Sequence, residues 1–353
     1  MPDPAERVAE LEAFALERLP SMRLPDGAFC REVRAPDLAP RGRSLRYTLI
    51  CLLGLQRARS AGLNVPAEPH ELLRQAINEI SAPEVTVGDL GLLLWADARA
   101  GGRWHDKVAF TLHGRLGAGF PDLEGLELSW LVIGAAESGA DLLLDDALAR
   151  QLGRVEPRTG LFRHRDSGRR ARFPNFATQI YGVLALAVAA RHGRAEALVP
   201  ARRAADRLLE LQRPDGGWPW IFDARSGRVV EPYELYSVHQ DAMAPIALQE
   251  LSEVTGDDRY RDAALAGVEW VFGHNELERS MLDREAGILY RSIRRRRGLD
   301  RVALYANTAL AAIGRHGIAQ RGGGLEVNPT DRPYHLGWVL EAWTGREPAS
   351  SPS

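Results

Sequence analysis

The chain has 353 residues, 45% of them apolar, and a formal net charge of -2. That length fits one large domain or two ordinary ones, and the apolar share is enough for a packed core. The near-zero charge gives no basis for binding nucleic acid. Basic side chains are almost all arginine, Lys107 being the only lysine, so an arginine run such as 294–297 weighs as a solvated loop rather than a site. Cys30 and Cys51 have neither metal-ligand spacing nor a disulfide framework. The N-terminal stretch MPDPAERVAELEAFALERL reads as an acidic amphipathic helix without the basic and apolar regions of a signal peptide. No apolar run approaches the ~20 residues of a membrane span, and a cytoplasmic location is expected.

In chain order, apolar residues recur at helical spacing over 8–19, 45–60, 71–80, 89–99, 107–116, 126–137 and 142–152. The period returns over 176–191, 198–211, 238–254, 258–272, 303–315 and 334–343. Strand-like runs are short and lie between helices, as in LFRHR (161–165) and ILYRSI (288–293). The helices alternate in character. Some carry one charged face, such as RAADRLLELQ (203–212). Others are small and apolar nearly all round, such as ELSWLVIGAAE (127–137), NFATQIYGVLALAVAA (175–190) and YANTALAAIG (305–314). A helix apolar on every side is buried on every side. The alternation therefore predicts an all-α chain: a ring of helical hairpins with the apolar helices inside, about six pairs plus one extra inner helix. One such domain over 1–346 is expected, followed by a disordered tail, EPASSPS (347–353).

Four connections share a glycine followed by a large apolar residue: PDGAF (25–29), RTGLF (158–162), PDGGW (214–218) and EAGIL (285–289). Each precedes a polar or basic loop and then a buried-type helix, the pattern of a weak internal repeat. The third belongs to LLELQRPDGGW (208–218), which resembles the QxxDGGW repeat of the α/α-toroid proteins. That group includes class II terpenoid cyclases, protein prenyltransferase β-subunits and six-hairpin carbohydrate-active enzymes. The resemblance implies an (α/α)6-type toroid with short hairpin-like loops, and a structural role for Gln212 and Trp218. The continuation PWIFDARSGRVVEPYELYSVHQDAMAP (219–245) is similar to toroid-type pectate lyases, which use calcium and a catalytic arginine. On that resemblance Asp241 takes the place of the lyase aspartate and would be the calcium ligand; no arginine matches the catalytic one. The sequence by itself requires no cofactor. The DxDD acid motif of the cyclases and the zinc set of the prenyltransferases are absent.

In such a toroid the cavity is lined by the N-terminal ends of the inner helices, where backbone N–H groups and the helix dipole favour anions. The expected cup carries Arg43, Arg46 and Tyr47, Asp89, Glu127 and Trp130, and Asn175, Gln179 and Tyr181. It continues with Tyr236, His239, Gln240 and Asp241, then Tyr305 and Asn307, and finally Arg332, Tyr334, His335 and Trp338. Asn and Asp at these places also serve as ordinary caps. Asp241, His239 and Tyr334 are the acid/base candidates: His titrates near neutrality, and a phenol can donate a proton. The binding candidates are Trp220, Asp223, Tyr236, Gln240, Arg332, His335, Arg46, Tyr47, Asn175, Gln179, Tyr305 and Asn307. Aromatic rings would stack on a sugar, and Arg332 would take a carboxylate. The expected function is a glycosidase, lyase or epimerase acting on an oligosaccharide, uronate-bearing glycans included. A terpenoid-cyclase-like toroid and a non-catalytic glycan- or partner-binding toroid in polysaccharide biosynthesis are the alternatives.

Overall fold

The structure is a computed structural model describing residues 3–117, 120–296, 299–315 and 324–346. The 347–353 tail lies outside the described residues. Fourteen helices are described: α1 (Pro4–Arg18), α2 (Leu45–Ser60), α3 (Pro69–Glu79), α4 (Val87–Arg99), α5 (His105–Leu116), α6 (Gly125–Ser138) and α7 (Asp141–Gly153). They continue as α8 (Arg169–Arg172, a single turn), α9 (Phe176–Arg191), α10 (Leu198–Leu211), α11 (Ala244–Thr255), α12 (Arg259–Val271), α13 (Leu299–Ala312) and α14 (Pro333–Trp343). A wide π-type turn, His239–Met243, leads into α11.

Helices α2, α4, α6, α9, α11 and α14 pack each on the next, and α14 returns to α2, so the inner ring closes. Helices α3, α5, α7, α10 and α12 cover it, each against the inner helix before it, while α1 packs on α14 and α12. Side-chain chemistry explains the sorting. Outer α10 buries only Ala201, Ala204, Ala205 and Leu208, one stripe at helical spacing. Inner α9 buries Phe176 and every residue from Thr178 to Ala189. Small residues let the inner helices meet backbone to backbone. A Cβ on Gly134 would lie 2.2 Å from the Gly91 carbonyl oxygen, and one on Gly54 would lie 2.1 Å from that of Gly337.

The glycine repeat is a staple used four times. The N–H two residues after each glycine donates to a polar side chain on or just before an inner helix. Phe29 donates to Thr48 Oγ1 (2.9 Å), Phe162 to Gln179 Oε1 (2.8 Å), Trp218 to Gln240 Oε1 (2.7 Å) and Leu289 to Asp331 Oδ2 (3.2 Å). All four donors' side chains are fully buried. At Gly216 the chain needs glycine twice over: φ is +85°, and a Cβ would lie 2.0 Å from the Ala266 carbonyl oxygen. Gln212 completes the third staple by donating to the carbonyls of Gly216 and Ala263, both at 2.9 Å, tying α10 to α12.

Three expectations change. The extra helix, α13, is not in the ring; it packs on the strands Arg228–Glu231 and Ser292–Arg295 beside the mouth. Its apolar residues cover only a satellite cluster that includes Ile221 and Val230, which is why its composition mimics a ring helix. LFRHR forms no strand beyond a single Val155–Phe162 bridge. ILYRSI divides between two sheets: Ile288–Leu289 pairs with Leu282–Asp283, and Ser292–Arg295 runs between Leu235–Tyr236 and Leu325–Asn328.

Because inner and outer helices alternate in direction, the connections that enter the inner helices gather at one end. The strands Cys30–Arg34, Ile221–Asp223, Leu235–Tyr236 and Thr330–Asp331 all lie on such connections. The other end is closed by ion pairs among inner-helix C-termini, including Arg99–Glu341 (2.6 Å) and Arg191–Glu137 (2.7 Å). Cations there also oppose the negative helix ends. No described helix is long and apolar enough to cross a membrane.

Candidate functional site

A cup of about 190 Å3 opens at the N-terminal ends of the inner helices. Arg46 and Tyr47 reach it from α2, Trp130 from α6, Tyr181 from α9, His239 from the π-type turn and Tyr334 from α14. Trp220, Tyr236 and Arg291 come from the mouth loops and strands. Ring contacts set the walls. Trp220 stacks on His239 (centroids 5.6 Å, 17°) and meets Tyr236 edge-on at 4.9 Å. Tyr47 and Tyr334 lie 4.5 Å apart, and Arg332 donates to the Tyr47 hydroxyl at 2.6 Å. Trp130 meets Tyr181 edge-on at 5.3 Å and lies under the Arg46 guanidinium at 5.2 Å. Arg46 is ion-paired to Asp89 (2.7 Å) and Glu127 (3.2 Å).

Glu234 holds the other wall without facing the cup itself. It accepts from Tyr236 (2.8 Å), Ser292 (2.7 Å) and Asn328 (3.1 Å). The Tyr236 phenol is pushed above its ordinary range, first by burial and then by that carboxylate. Burial likewise raises the Tyr334 phenol, so both are neutral proton carriers at physiological pH.

His239 is buried, and its Nδ1 has no hydrogen-bond partner. Burial, then the charges of Arg291 and His335, push it down to about 3. The folded chain therefore keeps this imidazole neutral where the unfolded chain, titrating near ~6.5, takes up a proton. Its contribution to stability is complete above about 6.5 and is lost as pH falls toward about 3. Wild type is expected to lose Tm more steeply than His239→Gln as pH drops from about 6.5 to about 4. Parallel melting curves of the two proteins across that range would contradict the assignment.

Beneath the cup, outside its lining, lie Asp241 and His335. Asp241 Oδ1 bonds to His335 Nε2 at 2.7 Å, Trp343 donates to the Asp241 carbonyl at 2.6 Å, and both side chains are almost fully buried. Burial raises the Asp241 carboxyl, and its Oδ2 has no partner. These residues do not fit calcium, which takes about six to eight oxygen ligands. No group of three or more His, Cys, Asp or Glu among the described residues is arranged to hold a metal.

The other candidates divide. Gln179 and Gln240 spend both ends of their amides on backbone. Each staple carbonyl accepts a backbone N–H, while Gln179 Nε2 donates to Phe162 O at 2.7 Å and Gln240 Nε2 to Tyr236 O at 3.0 Å. Asp223 is fully buried and gripped by Arg172 through two bonds of 2.9 and 2.8 Å. Burial alone would raise that carboxyl; the bonds from Arg172 and Ser226 outweigh it and hold it below the usual range. Asn175 caps α9 through Thr178. Asn307 lies within α13 and donates to Glu231, which also pairs with Arg295. Tyr305, also on α13, is 73% exposed. Asn175 and Tyr305 line a groove of about 1080 Å3 between α13 and the 164–175 segment. Trp220 lines both groove and cup. Sequence reasoning missed Arg291, whose signal was lost among the many loop arginines.

No protein-family model matches the sequence, and no curated protein matches it closely enough to serve as a relative. Solved structures do match across nearly the whole chain. A sugar epimerase from a ruminal bacterium aligns at a TM-score of 0.63 with 12% identity, covering 95% of this chain and 97% of that one. Cellobiose 2-epimerase from Bacillus thermoamylovorans B4167 gives 0.63 and 12%, covering 95% and 98%. An unsaturated glucuronyl hydrolase specific for heparin gives 0.62 and 16%, covering 96% of each. At these identities the likeness is one of architecture, and it agrees with the closed ring of six inner and six outer helices: the chain has the six-hairpin α/α-toroid fold.

Proposed function

We propose that the protein is a carbohydrate-active enzyme that takes one sugar ring of a glycan into the cup and moves a proton at it. One observation carries this reading: the cup lining joins stacking aromatics to His239 and two arginines, with no carboxylate among its described lining residues. Glycosidases work with a pair of carboxylates about 5–10 Å apart flanking the scissile bond. The absence of such a pair from the lining favours lyase or epimerase chemistry, in which a base removes a carbon-bound proton and a second group returns or delivers one. Neutral His239 is the base. Tyr334, on the neighbouring inner helix and held neutral by burial, is the proton donor. Asp241 and His335 support the floor behind them. The cup is smaller than drug-sized pockets, which start at about 300 Å3, and so suits a single ring, with the rest of the glycan running past Trp220 into the groove.

With two guanidinium groups and no carboxylic acid among its described lining residues, the cup lacks the acid that the terpenoid-cyclase-like reading needs. A toroid that binds a glycan without changing it is favoured by one fact: at about 3, His239 is a weak base until a ligand alters its surroundings. Melting the protein against neutral and uronic oligosaccharides tests the carbohydrate reading itself. At least one is expected to raise Tm; a panel in which none does would contradict it.

A further inference from the structure

The cup's two arginines differ in a way that concerns the ligand. Arg46 spends its charge on Asp89 and Glu127. Arg291 has no carboxylate within ion-pairing distance among the described residues, and its Nη1 is buried without a hydrogen-bond partner. Glu234 supports it by charge from beyond ion-pairing distance and spends its own oxygens on Tyr236, Ser292 and Asn328. Arg291 is nevertheless held in place. Its N–H donates to Thr330 O (2.8 Å), its carbonyl accepts from Ser237 N–H (2.9 Å), and its guanidinium lies 4.9 Å from the Tyr236 ring centroid. A part-buried cation on an anchored backbone, lying against Tyr236 with a buried, unused Nη1 donor beside a cavity, suits an anion, and the planar guanidinium fork matches a carboxylate.

We propose that Arg291 is the specificity-determining residue of the cup, and that it selects a sugar ring bearing a carboxylate, a uronic acid unit. This rests on the reading of the cup as a sugar site and names the class of sugar. A carboxylate on Arg291 also changes His239. The groups facing that imidazole are Trp220, Tyr236, Phe176, Arg291 and His335, with Asp241 bonded to His335 behind it. Neutralising Arg291 removes a charge that opposes protonation there, so the base strengthens when the acidic sugar arrives and stays weak with a neutral one.

Calorimetric titration with the methyl glycosides of glucuronate and galacturonate, each against its neutral counterpart glucose or galactose, decides the matter. Wild type is expected to bind at least one uronate about tenfold or more tighter than its neutral partner, a difference of ~1.4 kcal/mol. Arg291→Gln should lose most of that preference while keeping its affinity for the neutral sugar, which also reports that it has folded. Arg291→Lys, which retains charge without the fork, should fall between and decides the question if the glutamine variant does not fold. Equal affinity of wild type for acidic and neutral sugars, or an undiminished preference in the variants, overturns the assignment of Arg291 and leaves the sugar site standing. If none of the four glycosides binds, the sugar site falls and this proposal with it.

Discussion

Trp218→Ala is expected to destabilise the protein by about 3–5 kcal/mol, the usual cost of removing a large buried aromatic. For a chain of 353 residues that lowers Tm by roughly 5 °C. Trp218 is fully buried, stacks on Phe176 at 5.4 Å, and carries the N–H that Gln240 accepts. Truncation leaves a cavity between α9 and the π-type turn. Trp220→Ala, two residues on, should behave in the opposite way. Trp220 is only part-buried and belongs to the partition between cup and groove. Losing its face should weaken sugar binding about tenfold, ~1.4 kcal/mol, with a Tm change of about 1 °C or less. Thermal melts and calorimetric titration of the two variants separate these outcomes. If both substitutions only lower Tm, the partition is part of the core and not the wall of a site.

The ring of hairpins was legible because burial is periodic. A helix surrounded by others carries its charges only at its ends, so α6 and α9 announced themselves by the uncharged runs between them. The glycine repeat was legible for a local reason: a left-handed turn followed by a buried anchor leaves a signature within five residues. What the sequence could not separate was apolar from central. Helix α13 has the small-residue content of a ring helix yet covers only a satellite cluster beside the mouth, and nothing along the chain distinguishes the two burials. The same limit applied to the polar residues. Gln179 and Gln240 open inner helices, as a ligand-gripping amide would, but each faces backward onto a staple, because the loop that uses them arrives from earlier in the chain. Asp241 sits two residues from His239, and the wide turn points one into the cup and the other beneath it. Arg291 needed the fold most of all. Its importance is a buried donor left unused beside the cup, which no sequence pattern records.

His239→Gln should remove proton transfer while leaving the cup able to bind. Glutamine keeps a polar group of similar reach and takes away the titrating nitrogen, and loss of a general base costs about 10^2 to 10^4 in rate. The pH response should follow the ligand. Because burial and Arg291 hold the free imidazole down to about 3, an acidic sugar that neutralises Arg291 is expected to move the acidic limb of the rate profile up toward neutrality. A sugar without a carboxylate should leave it where it is.

The most direct measurement is incubation of the protein with a bound uronic oligosaccharide in deuterated water, followed by NMR of the sugar. The account predicts deuterium entering one carbon position of a single ring, or loss of that carbon's proton as the neighbouring glycosidic oxygen departs to leave an unsaturated product, with wild type active and His239→Gln slowed by about a hundredfold or more. A glycan that binds in the cup without exchange or product, or exchange that His239→Gln leaves unchanged, would contradict it.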